Sequence, residues 1–553
     1  MTQENEVRAE EILAALDEEQ RQVALATRGP VCVIAGAGTG KTRAITHRIA
    51  YGAAIGTMNP QKTLALTFTA RAAGEMRARL RSLGVPTVTA RTFHSAALKQ
   101  LLYFWPSVFG GRTPDLLTTK TTFITESIAR AGLTSILPAT SRELLRDVAT
   151  EIEWAKVSMI PPEDYMESAK ARAERNRISA GQVAQVYAAY MSLLRQEHAI
   201  DFEDVLLLTT AMIEEEREVR ERIHDQYRFF TVDEYQDVSP LQQRLLNAWL
   251  GSRQEICVVG DPAQTIYSFA GATPIFLNQF TQRFPEAEVI RLTSGYRSTP
   301  EIVFTANSVL RTGSMGQEIV AINAHGERPV LNNYKDEASE AAGVVQEIKR
   351  LATVGVPPQD IAVLARTNAQ LKVLEKECIA QKIPYQVRNN DRFFERSDVR
   401  DFLKGVRQAS VIPTEGVAWL DELRTLAQPF IASSVTDGVT ALLHLARELD
   451  GDPTFKPKTL RTYLRELEDR SEQNNPPVMP VTTLATLHAA KGLEWPQVFL
   501  VGANEGILPT HENAVEEERR LFYVGITRAQ NHLVVSYRQN PSRFLREAGL
   551  LTS

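Results

Sequence analysis

Val31-Cys32-Val33-Ile34-Ala35-Gly36-Ala37-Gly38-Thr39-Gly40-Lys41-Thr42 decides the fold class. The apolar run Val31–Ala35 reads as a buried strand, the glycines as a turn, and Lys41-Thr42-Arg43 as the opening of a helix. Strand, Gly-rich loop and helix in that order give the context that makes a phosphate loop credible. The glycines let the main chain approach a ligand closely, with its N–H groups turned towards phosphate. The pattern assigns Ala35, Gly36, Ala37, Gly38, Thr39, Gly40, Lys41 and Thr42 to nucleotide binding. Lys41 would neutralise the β- and γ-phosphates, and Thr42 would ligate Mg2+. The helix N-terminus adds a favourable dipole. The first loop position is Ala35 where a glycine is usual.

A second half of the site is expected at an acidic strand end. Arg228-Phe229-Phe230-Thr231-Val232-Asp233-Glu234 supplies one. The apolar run places Asp233 and Glu234 at the carboxyl edge of a sheet, where ligands bind in such folds. Asp233 would hold Mg2+, and Glu234 would orient and deprotonate an attacking water.

Similar apolar runs recur at Thr63–Thr67, Ile256–Val259, Val289–Leu292, Ile361–Leu364, Val498–Val501 and His532–Ser536. Such strands alternating with helices imply parallel sheets covered on both faces. The runs fall into two groups, before and after about residue 285. The expected fold class is therefore α/β, with two sheet domains, each interrupted by a mainly helical insertion. The boundaries read as 1–97 with 198–284, then 98–197 as the first insertion. The second domain reads as 285–389 with 478–553, and its insertion as 390–477, closed by Gln473-Asn474-Asn475-Pro476-Pro477. A chain of 553 residues exceeds the roughly 250–300 at which single cores stop growing.

Bulk composition excludes several classes. Cys32, Cys257 and Cys378 are too far apart for a metal cluster or a disulfide framework. With an acidic N-terminal segment, this points to a reducing cytosol. No apolar run reaches the ~18–20 residues of a membrane span. The net charge of −5 is not that of a generally basic nucleic-acid binder, so any such contact must come from local patches.

Asp233-Glu234-Tyr235-Gln236-Asp237 resembles the second motif of superfamily 1 helicases of the UvrD/Rep/PcrA branch. Other motifs of that branch follow in order along nearly the whole chain. Leu16–Arg21 resembles the Q motif. Thr67-Phe68-Thr69 with Ala72–Met76 resembles motif Ia, and Thr92-Phe93-His94-Ser95 resembles Ib. Asp201-Phe202-Glu203-Asp204 matches a short acidic signature. Val259–Asp261 with Gln264–Ser268 resembles III, and Tyr296-Arg297-Ser298 resembles IV. Thr486–His488 with Lys491–Glu494 resembles V, and Tyr523–Ala529 resembles VI. The details are most similar to the second UvrD-type subgroup of actinobacteria. Motif VI lies close to the last residue, so neither the subgroup's extra C-terminal modules nor a nuclease domain is expected.

The resemblance implies two RecA-like P-loop domains with ATP and Mg2+ as cofactors, and ATP hydrolysis coupled to 3′-to-5′ movement on single-stranded DNA. Tailed or forked duplexes would be unwound in DNA repair or replication, beside proteins of those pathways. The protein would be a monomer or a DNA-dependent dimer, cytoplasmic and associated with the nucleoid. By the same resemblance Arg297 and Arg528 are arginine fingers and Gln264 senses the γ-phosphate. Gln20 reads adenine, Tyr296 stacks on it, and Glu494 accepts from the ribose. Arg43 is open between a nucleotide contact and a solvated helix position.

DNA contacts are expected from Phe68, Tyr267, Phe269 and His488, with Thr92, Phe93 and His94 as further candidates. Binding without sequence reading uses base–aromatic stacking. Phe93 is equally open to core packing. Arg71, Arg77, Arg79 and Arg81 could touch phosphates or simply face solvent. Phe269 and Ala270 replace the branch's Trp and Arg, Ala70-Arg71 replace Asn-Lys, and Gly295 replaces Asn. The second insertion is also shorter than the branch's usual one, so translocation is a safer expectation than strong unwinding. Two alternatives stay open: a translocase that strips bound proteins, and an ATP-switched DNA-binding scaffold.

Overall fold

The computed structural model describes residues 3–135, 141–169, 172, 178–313, 316–388, 393–411, 417–430, 438–452, 455–472, 477 and 479–551. The chain divides into two compact units. One holds Met1–Ile34 and Lys41–Leu292, the other Ala35–Gly40 and Thr293–Ser553.

The first unit is built on a six-stranded sheet. Its order is Thr89–Thr92, Thr63–Thr67, Phe229–Val232, Ile256–Gly260, Val31–Ala35, Glu288–Leu292. The first five strands pair in parallel. Thr63–Thr67, Phe229–Val232 and Ile256–Gly260 are buried along their whole length, as strands covered on both faces must be. Leu64, Leu66, Phe230, Val232, Ile256 and Val258 form one core with residues from several helices.

Two boundaries differ from the sequence reading. Glu288–Leu292 completes the first sheet rather than opening the second domain. The Glu288 N–H donates to the Pro30 carbonyl at 3.0 Å, and the first unit extends to Leu292. The strand alternates exposed and buried residues, as an edge strand does. The expected break at residue 98 also falls inside the helix Phe93–Val108, whose Leu101, Phe104 and Trp105 pack into the sheet core. The separate core of the first insertion is drawn from residues 124–199, including Ile128, Val148, Ile152, Tyr165 and Tyr190.

The second unit carries a second six-stranded sheet, all of its pairs parallel. Its order is Val330–Tyr334, Ala529–Arg538, Trp495–Leu500, Ile361–Ala365, Thr482–Thr486, Tyr385–Arg388. Val345, Ile348, Leu371, Leu374, Val363 and Phe499 lie in its core. The helices Ser397–Ala409, Trp419–Ala427, Gly438–Gly451 and Leu460–Glu472 share a core of their own around Phe402, Leu442 and Tyr463. The expected start of this insertion at 390 and most of its closing segment, 473–476, lie outside the described residues. Among the described residues no helix is long and apolar enough to cross a membrane.

Candidate functional site

The phosphate loop leaves a strand flanked on both sides within the first sheet. Gly38 and Gly40 take φ values of 76° and 80°, which a side chain would resist. The Thr39 hydroxyl donates to the Gly36 carbonyl at 3.0 Å and closes the turn on itself. Lys41 then starts the helix Lys41–Ala54.

Asp233 and Glu234 follow the strand Phe229–Val232, separated from Val31–Ala35 by Ile256–Gly260, and meet this helix start. The Thr42 hydroxyl donates to Asp233 Oδ2 at 3.2 Å. Lys41 Nζ stands 3.7 Å from Glu234 Oε1. Glu234 adopts a left-handed backbone, φ 52° and ψ 42°. Non-glycine residues hold that region at a cost, and such strain clusters at functional sites. Here it ends the strand abruptly and turns the Glu234 N–H onto Asp233 Oδ1 at 2.9 Å.

Burial, then the neighbouring Glu234, pushes the Asp233 carboxyl up to about 6, against the opposing charge of Lys41. A buried carboxylate beside a hydroxyl fits Mg2+, a hard cation that takes few protein oxygens and completes its shell with phosphates and water. Thr42 and Asp233 are the residues that would hold it. Bound there, it would supply positive charge against the β- and γ-oxygens.

A hydrogen-bonded run leads away from Glu234. Gln236 Nε2 donates to Glu234 Oε2 at 2.5 Å, and the Asp261 N–H donates to Gln236 Oε1 at 3.0 Å. Gln264 Nε2 donates to Asp261 Oδ2 at 2.8 Å. Gly260 makes room for this run, because a Cβ there would fall 2.6 Å from Gln236 Oε1. Gln236 belongs to the acidic motif Asp233–Asp237. Its place between Glu234 and Gln264 could not be read from spacing, because the contact joins two strand ends.

Gln20 is buried near the start of the helix Glu18–Leu25, where its N–H donates to Asp17 Oδ1 at 2.7 Å. The Arg43 guanidinium donates to the Ala15 carbonyl.

In the second unit, the three predicted residues Arg297, Glu494 and Arg528 share one network. Arg297 Nε lies 2.5 Å from Glu494 Oε2, and Gln530 Nε2 donates to Glu494 Oε1 at 3.0 Å. Arg297 chiefly holds the Glu494 carboxyl below its usual range against burial. Arg297 Nη1 donates to the Thr527 carbonyl at 3.1 Å, and Arg528 Nη2 donates to the Thr527 hydroxyl at 3.1 Å. Arg528 is almost fully buried and also donates to the carbonyls of Val524 and Leu493 at 2.9 and 3.0 Å. Thr527 thus fixes both arginines. Tyr296 is exposed.

The model of the UvrD/REP helicase N-terminal domain matches residues 16–285. The model of the UvrD-like helicase C-terminal domain matches 290–409 and 432–540. The ATP-dependent DNA helicase UvrD2 of Mycobacterium tuberculosis is 44% identical over 98% of this chain and 82% of its own length. The ATP-dependent DNA helicases PcrA of Leuconostoc citreum and Staphylococcus aureus are 28% and 26% identical, each over 97% of this chain and over 85% and 86% of their own lengths. The chain belongs to the UvrD/Rep helicase family.

For a helicase of this family the remaining question is the DNA face. Phe68 and Tyr267 stack with ring centroids 5.6 Å apart at 17°, and Phe269 meets Tyr267 edge-on at 6.1 Å. Phe68 is 38% exposed and Phe269 45% exposed, so both rings present surface to solvent. Of the two readings open for Phe93, DNA contact and core packing, its burial fits core packing. It is 3% exposed and stacks on Trp249 inside the core, where no base can reach it. Thr92 caps the same helix, its hydroxyl accepting from the Ser95 N–H at 3.1 Å.

His94 packs edge-on against Phe202 at 6.1 Å. Burial, then Lys120, lowers His94 to about 4. His488 is lowered to about 3 by burial, Arg366 and Lys491. Both imidazoles are therefore neutral at pH 7 and offer hydrogen bonds rather than charge. In the arginine cluster, Arg71 pairs with Glu75 and Arg77 donates to the Ala90 carbonyl, while Arg79 and Arg81 are exposed.

Proposed function

We propose that this family member is an ATP-driven motor that moves 3′ to 5′ on single-stranded DNA and unwinds tailed or forked duplexes. The observation that carries the reading is the meeting of Lys41, Thr42, Asp233 and Glu234 at one end of the first sheet. Lys41 answers the phosphates, and Thr42 and Asp233 supply oxygens for Mg2+. Glu234, fixed by Gln236, accepts the proton of the attacking water. Arg297 and Arg528, held in common by Thr527, oppose the charge that develops on the γ-phosphate. Phe68, Tyr267 and Phe269 stack the bases. Gln264 lies at one end of the run from Glu234 and three residues before Tyr267, so it joins hydrolysis to grip.

The role is in DNA repair or replication, with proteins of those pathways as partners and the nucleoid as the place of action. Monomer and DNA-dependent dimer are separated by sedimentation with and without oligonucleotide. The deciding experiment is strand displacement on duplexes with 3′ or 5′ single-stranded tails. ATP-dependent displacement from the 3′ tail is expected. ATP turnover with tracking along the strand but no displacement would replace unwinding by protein-stripping translocation. Absence of DNA-stimulated turnover would refute the motor reading.

A further inference from the structure

The segment that carries the aromatic stack is held by the first helical insertion. Ser268–Ala270 forms one short helical turn. Arg172, an insertion residue outside every motif, donates from Nη2 to the carbonyl of Phe269 at 3.2 Å. Its guanidinium lies over the Trp154 ring, 4.2 Å from the centroid. The same group makes a two-point contact with Glu151, Nη2 to Oε1 at 2.9 Å and Nε to Oε2 at 3.2 Å. Glu151 is buried and in turn accepts from the Tyr165 hydroxyl at 2.6 Å.

At the far end of the segment, Gly271 has φ +87°, and a Cβ there would fall 2.4 Å from Val157 Cγ2. Val157 closes the helix Arg142–Val157, which also carries Glu151 and Trp154. One insertion helix therefore supplies the anchor for Arg172 and the surface against Gly271. A planar guanidinium held by stacking and a two-point carboxylate contact leaves little rotational freedom for its remaining donors.

We propose that Arg172 is a positioning residue for DNA binding. Through the main chain of Phe269 it sets that exposed ring beside Tyr267, so the helical insertion governs the grip on single-stranded DNA. Glu151 balances the charge of Arg172, and its work is geometric rather than phosphate binding. The inference rests on the reading of Phe68, Tyr267 and Phe269 as the base-stacking platform.

The test uses ATP turnover of the full chain against oligo(dT) concentration, in wild type, Arg172→Met, Phe269→Ala and the double variant. Methionine keeps an apolar stem over Trp154 and removes the donors. The KM for DNA should rise about five- to tenfold in Arg172→Met, the low end of what one stacked base supplies. The kcat at saturating DNA should stay within about twofold, since no group on the nucleotide is touched. Added to Phe269→Ala, Arg172→Met should raise KM no further, because residues acting as one unit are not additive.

An unchanged KM in Arg172→Met, or full additivity in the double variant, would overturn the proposal. If Arg172→Met does not fold, Arg172→Lys, which keeps charge but loses the planar fork, is read by the same two criteria. Wild type without any DNA-stimulated turnover would refute the stacking platform itself, a result distinct from failure of the Arg172 link.

Discussion

Replacing Lys41 with methionine removes a charge that opposes several acids at once. Lys41 Nζ lies 3.7 Å from Glu234 Oε1, with 11% and 25% of the two side chains exposed. The same charge offsets the burial of Asp233 and of Asp261, both of which are raised. Unit charges about 4 Å apart attract by ~4 kcal/mol at an effective dielectric of about 20. A triphosphate adds more negative charge at the same place, and the transition state spreads it over the γ-oxygens. Losing ~4 kcal/mol of stabilisation there lowers the rate by about a thousandfold. The assay is Mg-ATP turnover at saturating oligo(dT), with circular dichroism to confirm an unchanged fold. Turnover within about tenfold of wild type would show that Lys41 does not face the reacting phosphate, and the site assignment would fall.

Phe68→Ala should weaken DNA binding with little change in melting, by ~1–3 kcal/mol for a lost stacking surface. Phe93→Ala should instead cost ~3–5 kcal/mol of stability, as a core truncation does; equal melting losses in the two variants would contradict their different burial. Thr527→Val removes an acceptor from a buried guanidinium, and hydrogen bonds to charged groups contribute ~1.5–3 kcal/mol. Turnover should fall about tenfold or more while Thr527→Ser retains it, and an equal loss in both would point to the methyl group instead. His94 is lowered to about 4 in the fold, chiefly by burial. Its contribution to stability is complete above the unfolded value of about 6.5 and is lost as pH falls from there towards 4. A histidine NMR titration showing a His94 midpoint near 6.5 would disprove this.

The sequence was most legible where function forces local rules. The strand–loop–helix around Lys41 follows from glycines and an apolar run, and the structure has it at those residues. The strand before Asp233 was equally plain, because a strand buried on both faces must be apolar throughout. Reading failed where neighbours decide. Val289–Leu292 looks like any short strand, and only its pairing beside Val31–Ala35 assigns it to the first sheet. Phe93 left DNA contact and core packing equally open, and only Trp249, more than 150 positions away, decides for the core. Arg172 carries no local signal, since its partners Glu151, Trp154 and the Phe269 carbonyl meet only in the fold. Thr527 lies inside the Tyr523–Ala529 motif beside Arg528, but the bond from Arg297 to its carbonyl spans 230 positions and exists only in the fold.

Glu234 carries one more consequence, for anyone selecting variants of this protein. Its left-handed backbone is a conformation that glycine and asparagine accept more readily than glutamate does. Holding a non-glycine residue in that region costs ~1–3 kcal/mol. A screen that rewards heat resistance alone would therefore favour Glu234→Gly or Glu234→Asn, and would collect sturdier proteins that no longer turn over ATP. Thermal ranking and motor ranking should run in opposite directions at this one position.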